Sequence, residues 1–407
     1  MKLVVIEPFY EDSGSHKQFV EILKTIFEPI LEMEVYTQRG VKFHWRIRCS
    51  SMYFAETIPQ QGDTPGILLC SSVFHLAEFL GLRKDFQNWV KLIYMHENQL
   101  IYPVQHTDES DFQFGWIQIV SCQSADHVFF NSSFNMTSFL GEMSHFLKKL
   151  PDYRPSPSFL DRIRSRSSVL HYPLTPLQPQ PAPPLSEDRP LRIVWNGRWE
   201  HDKNPDSLFS VLFLLKTFCE GLHQKRLVQN TQNDDTPSTA TTESQSAETG
   251  EKRMKLETRQ LGSTFEISIL GQPFGEEPPI FTKAKSDLAA HIVQWGRLPS
   301  KQDYFDHLNT CDVILSTAVH EFFGVGVLEA VAVGCFPLCP NRLVYPELFG
   351  KEHLYNTDNQ LYKRLCDLVL RPEKVRTRRE EMKGIAQPYL LESMRPVYVE
   401  KIMGPMT

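Results

Sequence analysis

The chain has 407 residues, of which 41% are hydrophobic and 23% charged, with a formal net charge of −6. These values exclude a collagen, a wholly disordered chain, a disulfide mini-protein and a uniformly basic nucleic-acid binder, while leaving room for a local basic face. No apolar run approaches the roughly 18 residues of a membrane span. The opening Met1–Glu7 places a carboxylate after four apolar residues, so it reads as a buried strand and not as a signal peptide. The eight cysteines are scattered, with no CxxC and no zinc-type His/Cys spacing, as expected of buried thiols in a reducing compartment. The expected location is the cytoplasm, with the nucleus as a second compartment.

In chain order, the pattern predicts strands at Leu3–Ile6, Ile67–Cys70, Lys91–His96, His127–Asn131 and Ser168–Tyr172, with helices at His16–Phe27, Asp111–Gln123 and Ser133–Phe146. Residues 173–190 follow, with prolines at 173, 176, 179, 181, 183, 184 and 190, and read as an extended linker. The second half predicts strands at Leu191–Trp195, Phe265–Leu270, Ile292–Trp295, Val313–Ser316 and Phe336–Cys339. Its helices fit Pro205–Cys219, Lys301–Asn309, Val325–Val333 and Asn359–Leu370. Residues 226–264 break the pattern. Their centre, 230–250, has no Val, Ile, Leu, Phe or Met and reads as a disordered insertion. Apolar strands separated by helices imply parallel sheets covered on both faces. The expected fold class is α/β, with two doubly wound Rossmann-like domains, 1–172 and 191–386, facing a cleft.

In such sheets ligands sit beyond the carboxyl ends of the strands, so the residues just after each strand carry the interest. After the first strand come Gly14, Ser15, His16 and Lys17, a helix start whose amides can receive an anion or a hydroxyl; a plain turn capped by Ser15 is the competing reading. His96-Glu97-Asn98-Gln99 closes another strand, where His96, Asn98 or a neighbour can hydrogen-bond a substrate. Arg198 and Lys203 share one loop before a helix, a pairing suited to a diphosphate. The strongest signal is His320–Gly334. Gly324, Val325 and Gly326 open an apolar helix whose amides suit phosphate, and Glu321 and Glu329 flank it. Carboxylates repel phosphates but accept well from sugar hydroxyls, so this layout matches a nucleotide sugar.

These residues, together with Trp295-Gly296-Arg297-Leu298-Pro299, resemble the retaining GT-B glycosyltransferases of family four. That resemblance implies that Arg198 and Lys203 bind the donor diphosphate, Glu321 the transferred sugar and Glu329 the ribose. It also implies that the turn with Arg297 and Leu298 lines the base site, that His96 lies near the reacting sugar, and that a C-terminal helix within 387–407 crosses back to the first domain. A closer resemblance spans nearly the whole chain. Ser13-Gly14-Ser15-His16-Lys17-Gln18, Phe43-His44-Trp45-Arg46, His96–Pro103, Arg198–Lys203 and His320–Val325 are similar to the vertebrate family of glycosyltransferase-like proteins that mannosylate queuosine. It implies transfer of mannose from GDP-mannose to queuosine at the wobble position of tRNA-Asp, with retention, as a retaining hexosyltransferase with no cofactor and no metal. His96 and Glu321 would be the catalytic pair, and Gly14, Ser15, His16 and Asn98 would stand on the acceptor side.

A tRNA acceptor needs local positive charge in an acidic chain. Lys42, His44, Arg46 and Arg48, interleaved with Phe43 and Trp45, offer cations and stacking surfaces. Lys148, Lys149, Arg154, Arg162, Arg164 and Arg166 form a second basic stretch. Two rival readings remain at this point: an enzyme of the same fold acting on a lipid or small molecule, for which His145–Leu150 is the amphipathic candidate, and a non-catalytic tRNA-binding protein.

Overall fold

The computed structural model describes residues 1–10, 14–39, 42–101, 112–176, 178, 189–234, 264–273 and 277–406. The chain forms two compact units. One comprises Met1–Thr175, His320–Val325 and Pro388–Thr407; the other comprises Pro176–Val319 and Gly326–Gln387. The expected linker and insertion fall mostly outside the described residues, as do Ser13, Tyr102 and Pro103 of the motifs above.

The first unit is built on six parallel strands in the order β2-β1-β3-β4-β5-β6. They are β1 (Lys2–Glu7), β2 (Glu32–Thr37), β3 (Ile67–Ser71), β4 (Val90–Met95), β5 (His127–Phe130) and β6 (Ser167–Val169). Their alternation with α1 (Ser15–Phe27), α2 (Phe43–Thr57), α3 (Leu76–Leu82), α4 (Phe112–Ser124), α5 (Ser133–Leu147) and α6 (Pro157–Ser165) covers both faces. The strands β1, β3 and β4 are buried almost throughout, which is why they read as continuous apolar runs. In α1 the buried Phe19, Val20, Ile22, Leu23, Ile26 and Phe27 follow the helical period and turn one stripe onto the sheet. The strand order reverses direction between β1 and β3, so the carboxyl ends of β1, β3 and β4 frame the place where an α/β sheet takes its ligand.

The second unit holds six more parallel strands in the order β12-β11-β10-β7-β8-β9. These are β7 (Leu191–Asn196), β8 (Phe265–Leu270), β9 (Ile292–Gly296), β10 (Val313–Leu315), β11 (Phe336–Pro340) and β12 (Leu354–Tyr355). Counted within the unit, this is the 3-2-1-4-5-6 order of a dinucleotide-type sheet, with its switch point between β7 and β10. Its helices are α7 (Pro205–Asp234), α8 (Pro279–Asp287), α9 (Lys301–Asn309), α10 (Val325–Ala332), α11 (Tyr345–Leu348), α12 (Asp358–Leu370), α13 (Glu373–Arg376) and α14 (Arg379–Ala386). A last helix, α15 (Leu391–Met403), belongs to the first unit, where Tyr398 donates to the His171 carbonyl at 3.0 Å and Leu174 bridges Leu390.

Two features stand beyond the sequence reading. The helix expected to end at Cys219 runs on to Asp234, into the segment read as a disordered insertion. Residues 220–234 contain one glycine and no proline, and their Gln, Lys, Arg and Leu continue a helix readily. The second feature is Gly271, at the end of β8, which has φ of 110°. An added Cβ there would sit inside the van der Waals shell of the Gly197 carbonyl oxygen, so only glycine lets β8 end beside the Arg198 loop. Gly271→Ala is expected to cost about 3 kcal/mol, lowering the melting temperature by roughly 5–10 °C. Gly62→Ala, where an added methyl meets nothing within 4 Å, is the control. Equal melting temperatures for the two variants would refute the close approach.

Candidate active site

In the first unit, five of the expected residues, Gly14, Ser15, His16, His96 and Asn98, follow the carboxyl ends of β1 and β4. Gly14 caps α1 with φ 84° and ψ −153°, a conformation only glycine holds without strain, and no side chain caps the helix start. Ser15 is therefore the first helical residue and not the N-cap. The ring of His16 lies between two carboxylates: Nδ1 is 3.0 Å from Glu7 Oε2 and Nε2 is 3.4 Å from Glu97 Oε2. Glu7 is 2% exposed, and its other oxygen accepts the Phe9 amide at 3.0 Å. Burial opposes a charge on His16, but the Glu7 and Glu97 carboxylates outweigh it and hold the ring well above the usual histidine range.

The His96 ring lies 4.3 Å from that of His16, centroid to centroid, with Phe19 edge-on at 4.8 Å. Burial, and then the charge on His16, push its pKa well below the usual value. Its Nε2 is buried without a hydrogen-bond partner, 4.0 Å from Glu7 Oε2. Its backbone is fixed by Asn131 Nδ2, which donates to the His96 carbonyl at 2.8 Å. Asn98 is fully buried; its Oδ1 accepts the Leu100 amide at 2.9 Å and its Nδ2 donates to Ser138 Oγ at 3.2 Å. It shapes the loop after β4 from within. Glu7 Oε2, His16 Nδ1 and His96 Nε2 lie within 4.8 Å of one another. The 3.0 Å contact between Glu7 and His16 is a hydrogen-bond distance, so a proton accounts for this cluster without an ion.

The basic stretch on α2 divides by helical phase. Trp45 is 62% exposed, and Arg48 lies over its ring at 6.0 Å while donating to Gln113 Oε1 at 2.8 Å. Met52 and Tyr53 continue the same exposed side. Arg46 corrects the expectation. It points inward, 6% exposed, with its guanidinium 4.3 Å from the Phe9 ring centroid and bonded to the Pro8 carbonyl at 3.3 Å. It braces the turn after β1 and offers no charge to a phosphate. The second basic stretch is also partly structural. Arg164 donates to the Leu140 carbonyl and Arg166 to that of Ala125. In His145–Leu150, Phe146 and Leu147 are buried in the core, so that segment has no apolar face for a lipid surface.

In the second unit, the loop after β7 carries the expected cations. Lys203 Nζ is 3.3 Å and Arg198 is 3.5 Å from one carboxylate oxygen of Asp202, a side chain 1% exposed; Arg198 also lies 3.4 Å from Glu200. The loop is pinned at the sheet's switch point. Thr317 Oγ1 donates to the Lys203 carbonyl at 2.8 Å, the Val319 amide to the Asp202 carbonyl at 2.9 Å, and Asn204 takes the left-handed conformation that starts α7. Asn196 Nδ2 donates to the Gly326 carbonyl at 2.9 Å and to Tyr304 Oη at 2.8 Å, tying the end of β7 to the start of α10. Glu329, on α10, is buried and receives Lys301 Nζ at 2.6 Å. Arg297 is exposed and Leu298 half-buried, just after Gly296, whose φ of 92° turns the chain out of β9.

The Glu321–Glu329 pair is divided between the units. His320–Val325, and hence Glu321, Gly324 and Val325, groups with the first unit, while Glu329 groups with the second. Within the first unit Ser132 Oγ donates to the Phe322 carbonyl at 2.6 Å, and the buried Phe323 packs near His171, Tyr172 and Tyr389. These contacts fix the backbone beside the half-buried Glu321, whose Oε1 accepts the Phe322 amide at 3.2 Å.

The family profile described as tRNA-queuosine alpha-mannosyltransferase N-terminal matches residues 2–174. The tRNA-queuosine alpha-mannosyltransferase of Drosophila melanogaster is 35% identical over 390 residues, spanning 93% of this chain and 90% of that protein. The chain belongs to the tRNA-queuosine alpha-mannosyltransferase family. Solved structures give the fold. Sucrose-phosphate synthase from Thermosynechococcus elongatus superposes with a TM-score of 0.65 at 10% identity, covering 100% of this chain and 98% of that one. The lipopolysaccharide outer core galactosyltransferase WaaB, in its apo form, superposes with a TM-score of 0.60 at 13% identity, covering 100% of both chains. The fold is GT-B, as the sequence reading expected.

For a member of this family, four residues gain weight that the sequence reading did not give them. Glu7 and Glu97 set the charge on His16; Asp202 gathers Arg198 and Lys203; Gly271 lets β8 end against their loop. Each stands within or beside a motif named above, but its role depends on contacts across the sheet. Among the described residues no helix is long and apolar enough to cross a membrane.

Proposed function

We propose that the chain transfers an α-mannosyl group from GDP-mannose to queuosine at the wobble position of tRNA-Asp, with retention at the anomeric carbon. Family membership at 35% identity over 93% of the chain carries this reading. The donor diphosphate is met by Arg198 and Lys203, held by Asp202, and by the amides that open α10 at Gly324 and Val325. Glu321 serves the transferred sugar, Glu329 the ribose, and the turn at Arg297 and Leu298 the base. His96 and His16, with Gly14, Ser15 and Asn98 shaping their loops, stand on the acceptor side. Trp45 and Arg48 supply an exposed stacking and cationic surface for tRNA. The transfer runs on the protein's own cations: two side-chain charges and a helix start oppose the diphosphate, and the leaving phosphate assists deprotonation of the acceptor hydroxyl. All eight cysteines are free thiols, which suits the reducing cytoplasm, where we place the enzyme.

The test is incubation of the purified chain with GDP-mannose and total tRNA, followed by mass spectrometry of the nucleosides. A hexose appears on queuosine if the reading holds. Donor hydrolysis without transfer would point to another acceptor, and tRNA binding without turnover to a binding protein. On the tRNA surface, Trp45→Ala is expected to cost about 1–3 kcal/mol of tRNA affinity. Arg48→Glu should weaken tRNA binding and flatten its salt dependence, by a log–log slope of about 0.7 for each single-strand phosphate that is no longer neutralised. Arg46→Glu should instead lower the melting temperature, because it buries a carboxylate where a guanidinium was held. Unchanged tRNA binding in Trp45→Ala and Arg48→Glu would move the acceptor surface off α2.

A further inference from the structure

The His16 ring carries a requirement that geometry alone imposes. A neutral imidazole has one N–H and one lone pair. Here both ring nitrogens face carboxylate oxygens, Glu7 at 3.0 Å and Glu97 at 3.4 Å. A lone pair turned to either would be repelled, so the arrangement is satisfied by the doubly protonated cation. Glu7 in turn is 2% exposed, and a carboxylate that deep needs a cation against it.

His96 is next in line. Two imidazolium rings 4.3 Å apart in a buried site would repel, so with His16 charged His96 is neutral. Its Nε2 is buried, has no hydrogen-bond partner, and lies beyond the carboxyl end of β4, the end at which such sheets take ligands. Among the described residues, the other groups with a proton or charge near these rings are Cys70 on β3, Tyr94 on β4, Tyr172 after β6, Tyr398 on α15 and Arg46 beside the β1 turn. Burial raises the Cys70 thiol and the Tyr94 and Tyr398 phenols, which stay protonated while the histidines titrate.

We propose that Glu7 is a positioning residue for the transfer: it fixes His16 as the cation of the pair and so keeps His96 as the neutral ring that presents Nε2 to a substrate hydroxyl. Glu97 supports the same state from the other side of His16. The proposal deepens the function given above and rests on it. It assigns to one buried carboxylate the division of labour between two adjacent histidines.

The signs follow from the two shifts. His16 is raised, so its charge is present at low and neutral pH and is lost as pH rises through its folded value, giving an alkaline limb. His96 is lowered, so it stays neutral until pH falls through its folded value, giving an acid limb. Removing the Glu7 charge lets burial dominate His16 and moves the alkaline limb to lower pH. For His96 two changes oppose: a neutral His16 no longer repels a charge on it, and the Glu7 carboxylate 4.0 Å from its Nε2 no longer attracts one. The bell narrows from its alkaline side.

The experiment is Glu7→Gln in the full chain, with Glu7→Asp as the conservative variant. Expected are a fall in kcat of about 10²-fold at neutral pH, KM for GDP-mannose within about twofold, a narrowed pH–rate bell and partial rescue in Glu7→Asp. Nitrogen NMR of ring-labelled histidine should show His16 as an imidazolium at neutral pH in the parent and as a neutral ring in Glu7→Gln. Glu97→Gln, removing a more exposed partner, should move the alkaline limb the same way by less, and serves if Glu7→Gln fails to fold. A neutral His16 in the parent, or a pH profile that keeps its width in a folded variant, overturns the proposal. So does activity that a chelator abolishes and zinc restores, since the cluster would then hold an ion. Should the parent transfer nothing to tRNA, the functional reading fails, while the NMR spectra still decide what Glu7 does to His16.

Discussion

Arg198→Ala and Lys203→Ala are each expected to lower kcat/KM for the donor by one to two decades, and GDP affinity with it. A charge-assisted hydrogen bond to phosphate is worth about 1.5–3 kcal/mol, and each 1.4 kcal/mol is about a decade. The two variants should differ in stability. Arg198 is 45% exposed and leaves the loop without disturbing it. Lys203 is 17% exposed, and its ammonium faces Asp202, a carboxylate 1% exposed, so its removal leaves a buried charge less compensated and should lower the melting temperature. Because both cations lean on Asp202, the double variant should lose less than the sum of the singles. Asp202→Asn should weaken GDP binding while leaving both cations in place, since their directions would no longer be set. Calorimetric titration of GDP against the parent and the four variants measures the affinities, thermal melts the stabilities, and donor turnover the kcat/KM values. Wild-type GDP affinity in both single variants would remove the diphosphate from this loop.

How far the fold is legible depends on how far each segment's sequence carries its own contrast. The runs that form β1, β3, β4, β8 and β11 are buried on both faces and stand out as apolar. β2, Glu-Met-Glu-Val-Tyr-Thr at the sheet edge, is only half-buried, and its two glutamates hide it. α2 is hidden for the opposite reason. Its outward side carries Trp45, Met52 and Tyr53, so the helix lacks the polar face that makes a period visible. The same helix shows why Arg46 looks like a tRNA contact in the sequence and is none in the structure. Alternation of basic and aromatic residues looks like one surface when read along the chain. At 3.6 residues per turn, Arg46, Ile47, Ser50, Ser51 and Phe54 face inward, while Trp45 and Arg48 do not.

The candidate site shows the same limit. His16, His96, Arg198 and Lys203 follow strands and can be picked out by that position. Glu7 closes an apolar strand and reads as the residue that ends it. Asp202 sits within a run of charges and reads as one more solvated acid. Only the parallel register of β1, β3 and β4 brings Glu7 to His96, and only the crossing from β7 to β10 closes the loop around Asp202.

The two glutamates of the pair should separate under substitution. Glu321→Gln keeps the shape of the side chain, and the surrounding backbone is held by Ser132 and Phe323, so the fold and GDP affinity should persist. On the proposed assignment, what goes is a charged acceptor for the transferred sugar. Turnover should fall by about 10²-fold or more, the scale at which electrostatic groups near a reacting centre act. Glu329 stands differently. It is buried on α10, receives Lys301 at 2.6 Å, and lies close enough to the half-buried Tyr304 that its charge adds to desolvation in raising that phenol. Glu329→Ala should weaken GDP itself by about one decade, the value of one charge-assisted hydrogen bond to a ribose hydroxyl. Lys301 is 45% exposed, so its ammonium returns to water and the loss of the pair should cost little stability. The decisive reading is GDP affinity at fixed salt. If GDP binds Glu321→Gln and Glu329→Ala equally well, the sugar and ribose roles do not divide between these two carboxylates. If Glu321→Gln loses GDP as strongly as turnover, Glu321 holds the nucleotide and the transferred sugar is met by another group.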